Sequence, residues 1–419
     1  NDLCSLREHE DRPALAVKMW FNAEGKKTRH EFHRILMRSY AKLSYQEAQA
    51  AIDGSPNEKA KPHLETILKP LWEAYACLKR GRNDRGPLEL DLPERKILLK
   101  KDGTVDRVIV PDRLDAHKLV EEFMIQANVC AAETLQNKKQ PLIFRTHDSP
   151  SLDKLETLGE FLKSMNMSLV RSGNLRSHHF NGILNAVKDK EHEEMVNQVV
   201  LRSQSQAEYS PDNIGHFGLN LRDYAHFTSP IRRYADLIVH RALVGALGLG
   251  PGGITPEQEK QLDVIASDIS ITERRAMAAE RDTKDRLIAG FLSERIGDRF
   301  NGRINGVTKS GLFVTLSDTG ADGFIPISKI GEDYYHYDAA THSLIGERSN
   351  LAYQIGMEVE VQLVEAAPIA GALRFDMLSD GKELEGLPRS RRTNKQSFQK
   401  RGRGKPTGRG GNPKYRRRK

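Results

Sequence analysis

The sequence HFGLNLRDYAHFTSPIRRYADLIVHR, residues 216–241, contains a strand pattern followed by a helix pattern. Apolar residues at every second position predict a short half-buried strand. These residues are Phe217, Leu219 and Leu221. Thr228 or Ser229 then provides a helix N-cap before Pro230, because proline at the first helical position loses no intrahelical hydrogen bond. Apolar residues at helical spacing follow, so the stretch predicts a strand, a tight connection and a helix with one buried face.

Two arginines, Arg232 and Arg233, fall in what this pattern predicts to be the first helical turn. The positive end of the helix dipole disfavours cations there by roughly 0.3–1 kcal/mol each at an exposed site. Asp236 can offset part of this cost, and a bound anion such as a phosphate would offset the rest. Local physics leaves two interpretations open, an anion site or a buried Arg–Asp pair that orients the helix.

The same stretch closely resembles the signature of the RNase II / RNase R family of processive 3′-to-5′ exoribonucleases. The similarity is long and largely ungapped, which makes it specific. It implies that Arg232 contacts the phosphates at the reacting end of the RNA, in agreement with the anion-site interpretation. It also implies an RNA contact for Arg233. The substrate that the resemblance implies is single-stranded RNA with a free 3′ end.

Three further positions are similar to the same family. Tyr45, in AKLSYQEA, matches a tyrosine that helps to discriminate RNA from DNA. Glu121 matches a glutamate that contacts RNA near the 3′ end, and Glu280, in AERD, matches a residue that supports the active site. From the residues alone, Glu121 and its neighbour Glu122 have a solvated helix edge as the alternative. The alternative for Glu280 is an intrahelical ion pair with Lys284.

Two features of the family are missing from this chain. A phenylalanine that stacks on the terminal bases should fall near Leu90, where no aromatic residue occurs. The family resembles two-metal phosphoryl-transfer enzymes that use Mg²⁺, with ligands from a compact aspartate-rich motif that we do not find here. We therefore name no metal ligand, and we expect the Mg²⁺ ligands to lie upstream of Asn1 in a longer protein. The fragment alone is then expected to be inactive.

Strand and helix patterns alternate over the rest of 1–295. Residues 12–37 predict a β-hairpin, and 88–110 predict a second one with its turn at Asp102-Gly103. Ser44 and Glu47 form a capping-box pattern for a short helix. Further helices are predicted over 64–78, 115–133, 151–165 and 255–295. Residues 171–190 are expected to be irregular, and the acidic run 191–194 is expected to be a solvated face and not a metal site.

From Gly297 the sequence changes to short strand patterns separated by glycine turns. Five such strands in about 80 residues predict an OB-fold barrel. The motif resembles the RNA-binding domain first named in ribosomal protein S-one, although Pro326 replaces a histidine that many such domains have. Three phenylalanines are candidate stacking platforms for bases, worth roughly 1–3 kcal/mol per base if exposed, and are otherwise barrel core. They are Phe300, Phe313 and Phe324, with Phe313 the best candidate.

Basic charge is concentrated at the carboxyl end of the chain. Residues 387–419 hold fourteen Lys or Arg and no Asp or Glu, whereas the other 386 residues hold 51 basic and 57 acidic side chains. We expect the tail to be disordered and to attract phosphate backbones, with a solubilising role as the alternative. Three scattered cysteines predict a reducing cytoplasm, and no apolar run approaches the roughly 20 residues of a membrane span.

These patterns predict an α+β fold. Its parts are an N-terminally truncated RNB-type catalytic domain over 1–295, an all-β S-one-type OB-fold over 296–379 and a disordered basic tail over 380–419. The resemblance implies a monomer that hydrolyses RNA to nucleoside 5′-monophosphates, and the tail and the barrel favour RNase R over RNase II. The alternative function is a non-catalytic RNA-binding protein with a degenerate fold of the same family.

Overall fold

A computed structural model describes residues 2–90, 92, 94–165, 167–169, 175–190, 193–338, 341 and 343–383. The predicted tail lies outside the described residues from position 384 onward, as do the first two positions of the acidic run 191–194. Within the described part, no helix is both long and apolar enough to cross a bilayer.

The N-terminal hairpin pairs β1, Asp11–Phe21, with β2, Lys27–Arg38, in antiparallel register. This confirms the hairpin predicted from the alternating apolar residues. Gly25 lies in the connecting turn with a φ of 78°, and a Cβ there would lie 2.3 Å from the Cys77 carbonyl oxygen. Only glycine fits this turn, because both the backbone conformation and the close approach exclude a side chain. Phe32, on the inner face of the hairpin, is buried in the hydrophobic core.

Helix α1, Tyr45–Ile52, begins at the predicted capping box. The Ser44 hydroxyl accepts from the Glu47 N–H, and the Glu47 carboxylate accepts from the Ser44 N–H. A 3-10 turn and one π-helical turn then lead into α2, Lys69–Arg85. Gly86 ends α2 in the left-handed conformation, which is the usual role of glycine after a helix.

Two further short antiparallel strand pairs are present, and each contacts α9, Leu262–Leu292. The hairpin predicted at Asp102-Gly103 is present as β3, Lys96–Leu99, and β4, Val105–Ile109. The strand expected before the loop near residue 147 is β5, Phe144–Thr146, and it pairs with β6, Glu208–Ser210.

Helix α3, Asp115–Asn137, occupies the centre of the domain, as its apolar composition predicts. Three consecutive small residues of this helix are fully buried, so neighbouring elements approach it closely around most of its circumference. They are Cys130, Ala131 and Ala132. The core beneath them also includes Val239 and Leu243 from α7, Tyr234–Ala246, and the Phe32 side of the hairpin. Helix α3 therefore connects the hairpin to the signature stretch.

The prediction of an irregular segment at 171–190 is wrong for α5, Ser177–Val187. Its apolar residues follow the spacing i, i+3, i+4 and i+7, a helical pattern that the surrounding polar residues obscure. They are Phe180, Ile183, Leu184 and Val187, all buried. The helix packs with α4, Leu152–Ser164, and α6, Glu193–Ser203, around a separate core cluster.

The long helix predicted over 255–295 is present with a short break. Helix α8, Pro256–Glu259, is followed by α9, Leu262–Leu292, and by a 3-10 turn at Ser293–Arg295. The Ser270 hydroxyl of α9 accepts from the Tyr209 N–H at 3.0 Å, which joins the helix to β6.

The carboxyl-terminal part of the described chain is a closed five-stranded barrel in the order β13-β14-β9-β8-β7. Its strands are β7, Arg299–Thr308; β8, Gly311–Leu316; β9, Asp322–Pro326; β13, Glu358–Ala367; and β14, Ala372–Met377. All five predicted strands are present, which confirms the OB-fold. The sequence patterns missed a second sheet of two- to four-residue strands inserted beside the barrel. It comprises β10, Tyr335–Asp338; β11, Ser343–Gly346; β12, Leu351–Gln354; and β15, Lys382–Glu383.

Candidate functional site

The first part of the signature stretch is a tight turn, so the predicted strand over Phe217–Leu221 is wrong. A single antiparallel bridge joins His216 to Leu221, and Asn220 between them has a φ of 51°. The alternating apolar residues do not share one face. Phe217 packs against the α4–α6 cluster, whereas Leu219 and Leu221 pack beneath α3. The turn therefore places apolar side chains in two different hydrophobic clusters.

Two neutral imidazoles hold this turn. The His147 Nδ1 accepts from the Gly218 N–H at 2.9 Å, and the His216 Nδ1 accepts from the Leu219 N–H at 3.1 Å. Burial lowers the pKa of His147, and it lowers the pKa of His216 to about 3, with the charge of His147 as the next cause. A Cβ on Gly218 would lie 3.0 Å from the His147 Nδ1, so a side chain here would press on the ring. The turn therefore has little freedom to move.

Helix α7 begins four residues later than predicted, so Pro230 does not occupy its first turn. The Ser229 carbonyl oxygen accepts from the N–H groups of Arg232 and Arg233 in a turn that precedes the helix. Asp236, inside the first helical turn, accepts from the Ser229 N–H at 2.7 Å. The Asp236 carboxylate thereby caps the turn that precedes the helix. Arg232 and Arg233 lie in that turn, before the first helical residue.

The two adjacent arginines have different environments. Arg233 donates to both carboxylate oxygens of Asp236, with both nitrogen–oxygen distances 2.8 Å, and Asp236 is fully buried. The buried-pair interpretation therefore describes Arg233, whose predicted RNA contact would compete with this pair. The Arg232 side chain is exposed and makes no hydrogen bond or ion pair with any other described residue. Its guanidinium is available to an anion.

Helix α3 fixes the chain immediately before this turn. The Asn128 side chain accepts from the Phe227 N–H at 2.8 Å and donates to the Tyr224 hydroxyl at 3.1 Å. Between these two residues lies His226, whose Nδ1 is hydrogen-bonded to the Tyr209 hydroxyl at 2.9 Å. Burial, and then the charge of the nearby arginines, lowers the pKa of His226 to about 2, so its imidazole is neutral.

A cleft of about 610 Å³ lies between α2, α3, α5 and α6 and contains Glu121. Five basic side chains line it, together with four acidic ones. The basic residues are Lys79, Arg82, Arg113, Lys118 and Lys188. Arg113 pairs with Glu121 at 2.7 Å, whereas Lys79 and Lys188 make no ion pair within the described residues. The cleft can therefore accept a phosphate chain without losing its internal pairs. Sequence reasoning missed these lysines, because no pattern marks them.

Tyr45 contacts the helix that carries Glu121. The Tyr45 ring stacks on His117 with centroids 4.1 Å apart, and it remains 42% exposed. His117 precedes Glu121 by four residues on α3, so the two side chains share a helix face. Leu90, at the position where the family has an aromatic residue, also lines the cleft. A stacked Tyr–His pair thus stands on one side of this region.

The expectation that Glu121 and Glu122 share a solvated edge is wrong for Glu122. Its carboxylate is 2% exposed and accepts from two Arg85 nitrogens at 3.0 and 3.2 Å. Consecutive helical residues point about 100° apart, and here that rotation buries one glutamate and exposes the other. The Arg85 carbonyl oxygen in turn accepts from the Asn220 side chain, so the pair also joins α2 to the signature turn.

Glu280 lies apart from these groups. It is exposed on α9, and Lys284 donates to its carboxylate at 2.6 Å, which lowers the pKa of Glu280. This is the intrahelical alternative. The residue lines a groove of about 500 Å³ with Arg95 and Leu99 from the β3 region, and Arg232 is not among the described residues that line this groove or the cleft. No contact between Glu280 and the other candidate site residues supports its predicted role among the described residues.

The barrel separates the three candidate phenylalanines. Phe300 is 3% exposed in the barrel core, with the Arg295 guanidinium 4.5 Å above its ring, so the prediction of an exposed stacking platform is wrong for it. Phe300 shares the inward face of β7 with Ile304, as alternation along a strand dictates. Phe313 is 42% exposed and lies 5.1 Å from the Phe324 ring, which is half-buried. These two rings form one aromatic surface.

No metal site is assigned. Within the described part of the chain, no three His, Cys, Asp or Glu side chains lie together in a way that would hold a cation. Of the acidic run, Glu194 pairs with Arg303 of the barrel and Glu193 accepts from the Asp189 N–H. The described residues therefore do not fit the Mg²⁺ that the resemblance implies, and we derive no step through it.

Comparison with known protein families matches residues 1–248 to the RNB domain. This chain belongs to the RNB family. Residues 293–367 match the S1 RNA binding domain, in agreement with the closed barrel. The family prediction and the α+β fold class are both confirmed.

Curated relatives and solved structures agree with this assignment. Ribonuclease R of Escherichia coli (strain K12) is 34% identical over 403 residues, covering 94% of this chain and 49% of the relative. Ribonuclease R of Aquifex aeolicus is 35% identical over 389 residues, covering 92% and 55%. The apo form of Mycoplasma genitalium RNase R superimposes with a TM-score of 0.85 at 27% identity, over 90% of this chain and 60% of that one. The chain thus spans about half the length of the curated relatives it matches.

Proposed function

We propose that this chain is the part of a processive 3′-to-5′ exoribonuclease that holds the 3′ end of single-stranded RNA. The observation that carries the proposal is the contrast between Arg232 and Arg233. Arg233 neutralises the buried Asp236, whereas the side chain of the adjacent Arg232 has no hydrogen-bond or ion-pair partner among the described residues. A solved complex of the Mycoplasma genitalium relative contains ribose methylated single-stranded RNA, which supports the same substrate class.

Each residue has a chemical role in this proposal. Arg232 donates charge-assisted hydrogen bonds to a phosphate at the reacting end. The Tyr45 ring, supported by His117, contacts the terminal ribose, and Glu121 accepts from ribose or base groups in the cleft. Lys79 and Lys188 attract the phosphates of the preceding nucleotides. Hydrolysis would release nucleoside 5′-monophosphates.

Several properties of the whole protein stay predictions. They are the domain limits at 295 and 379, a monomeric state, a cytoplasmic location and attraction of RNA by the basic tail. The supporting role of Glu280 is also kept, on the ground that its pair with Lys284 is exposed and easily exchanged for another partner.

The test is single-turnover degradation of a labelled oligoribonucleotide by the natural protein carrying Arg232→Ala. We expect the rate to fall by about 10²–10³-fold, the usual loss for one preorganised donor at a reacting group. RNA affinity should change far less. The control is Arg107→Ala, at an exposed arginine on β4 that pairs with its neighbour Asp106 at 3.7 Å.

An unchanged rate with Arg232→Ala and intact folding would contradict the proposed role of this residue. If the unmodified natural protein binds RNA but releases no mononucleotides with Mg²⁺, the enzyme proposal fails. That result would support the non-catalytic RNA-binding alternative.

A further inference from the structure

A cavity of about 500 Å³ lies beside the signature turn, next to the loop that follows β5 and the start of α5. Five of its lining residues carry charged or ring-nitrogen groups. They are His147, Asp148, Arg176, His216 and Arg222. A cavity of this size accommodates a small ligand. Among the described residues, none lines both this cavity and the Glu121 cleft.

Helix α5 separates the cavity from the Glu121 cleft. Arg176, immediately before the helix, lines the cavity, whereas Asn185 and Lys188, near its other end, line the cleft. The eleven residues of this helix span about 16 Å. A ligand in the cavity therefore does not have to displace RNA from the cleft.

Two arginines give the cavity its positive charge. Arg176 and Arg222 are both exposed, and neither guanidinium makes an ion pair with a described residue. Asp223, the neighbour of Arg222, instead accepts from the Asn213 side chain at 2.7 Å. Guanidinium groups bind phosphates through charge-assisted and often bidentate hydrogen bonds. The two arginines therefore favour a ligand that carries a phosphate.

A neutral hydrogen-bond donor faces the same cavity. The His216 Nδ1 accepts from the Leu219 N–H, and burial lowers the pKa of this imidazole to about 3, so its proton lies on Nε2. This Nε2 is accessible and has no partner within the described part of the chain. His147 differs, because its Nε2 is hydrogen-bonded to the Ser205 carbonyl oxygen at 2.9 Å. His216 can thus donate to a ligand oxygen.

An acidic side chain lines the cavity together with these donors. One Asp148 carboxylate oxygen accepts from the Ser149 N–H at 2.6 Å, and the second accepts no bond from the other described residues. A carboxylate repels a simple anion but accepts hydrogen bonds from ribose hydroxyls. The combination of arginines and a carboxylate therefore fits a ribonucleotide better than inorganic phosphate.

We propose that this cavity binds a free ribonucleoside 5′-monophosphate, with its phosphate at Arg176 and Arg222 and its ribose hydroxyls at Asp148. His216 donates to a further oxygen of the same ligand. The inference rests on the proposed function, because that reaction releases molecules of this class. The cavity is then a product-binding site outside the RNA cleft.

The experiment is isothermal titration calorimetry of the natural protein with adenosine 5′-monophosphate. We expect saturable binding, and Arg176→Gln or Arg222→Gln should weaken it by about tenfold, the effect of losing a hydrogen bond to a charged group. The 2′-deoxy analogue should bind more weakly than the ribonucleotide, and Asp148→Ala should reduce this difference. The control Arg107→Gln, at an exposed arginine of β4, should bind adenosine monophosphate normally.

The same nucleotide can also bind at the reacting end of the cleft, and Arg232→Ala distinguishes the two places. Binding at the cavity should persist in this variant. If Arg232→Ala removes the binding while Arg176→Gln and Arg222→Gln leave it intact, the inference is overturned and the proposed function stands. If the natural protein does not bind the nucleotide but Arg222→Gln weakens oligoribonucleotide binding, the cavity holds the RNA backbone and the inference is again overturned. Normal nucleotide binding by a natural protein that does not hydrolyse RNA would defeat the proposed function and support the cavity site.

Discussion

Arg85 and Glu122 form a bidentate ion pair between α2 and α3, with nitrogen–oxygen distances of 3.0 and 3.2 Å. Gln126 also donates to the Glu122 carboxylate at 3.0 Å, and the Asn220 side chain donates to the Arg85 carbonyl oxygen. Glu122 lines the Glu121 cleft, and through Arg85 it is connected to the signature turn. A buried ion pair of this kind is costly to break, because either partner left alone is an uncompensated charge.

Removing the buried carboxylate should therefore be strongly destabilising. We expect Glu122→Ala to lower the free energy of unfolding by about 3–5 kcal/mol. The matched control is Glu121→Ala, one residue away, where the exposed pair with Arg113 is worth about 0–1 kcal/mol. Urea denaturation of the two variants measures both quantities. Equal losses would mean that the Arg85 pair contributes no more than a surface contact.

The adjacent arginines of the signature provide a second matched comparison. Arg233→Ala leaves the buried Asp236 without its partner and should cost about 3–5 kcal/mol of unfolding free energy. Arg232→Ala should stay within about 0.5 kcal/mol, because the side chain is exposed and has no partner in the part of the chain that the structure describes. Chemical denaturation again gives the result. A large loss of stability with Arg232→Ala would point to a structural role for this residue.

The barrel phenylalanines should also differ in stability. Phe300→Ala empties a core position and should cost about 3–5 kcal/mol. Phe313→Ala should cost far less, since nearly half of that side chain already faces solvent. Urea denaturation of the two variants measures both losses of unfolding free energy. Comparable costs would show that Phe313 is also a core residue.

The parts of this fold that the sequence predicted are those determined by local periodicity. Alternation and glycine turns locate all five barrel strands, and an apolar 3.6-residue pattern locates α3. The same period is present in α5, at Phe180, Ile183, Leu184 and Val187, but polar neighbours hid it. Phe300 could also have been assigned correctly, because it shares the strand period of the buried Ile304.

The site depends on contacts that no local pattern contains. The start of α7 is set by a bond from the Ser229 N–H to Asp236, seven residues away, and the turn before it is held by His147, 71 residues from Gly218. Glu121 and Glu122 are indistinguishable in the sequence until Arg85 buries one of them. The roles of these residues could therefore be predicted only from the family resemblance. Their interaction partners could be identified only from the three-dimensional structure.

The buried histidines make the stability of this chain depend on pH. Burial lowers the pKa of His216 to about 3 and of His226 to about 2, from an ordinary value of 6.5. Above about pH 6.5 neither the folded nor the unfolded state binds these protons, so stability is fully present. Below that pH the unfolded state binds protons that the folded state does not, and stability falls by up to about 1.4 kcal/mol per pH unit for each histidine. The loss continues down to the folded-state pKa values.

Urea denaturation between about pH 6.5 and 5 should therefore show an unfolding free energy that decreases with falling pH. This window lies above the titration of ordinary carboxylates, so it reports mainly on histidines. His226→Asn keeps an acceptor for the Tyr209 hydroxyl without the titrating ring and should make the pH dependence shallower. The control His33→Asn, at an exposed histidine of β2, should leave it unchanged. A free energy of unfolding that is constant across the window would mean that these histidines bind protons equally in both states.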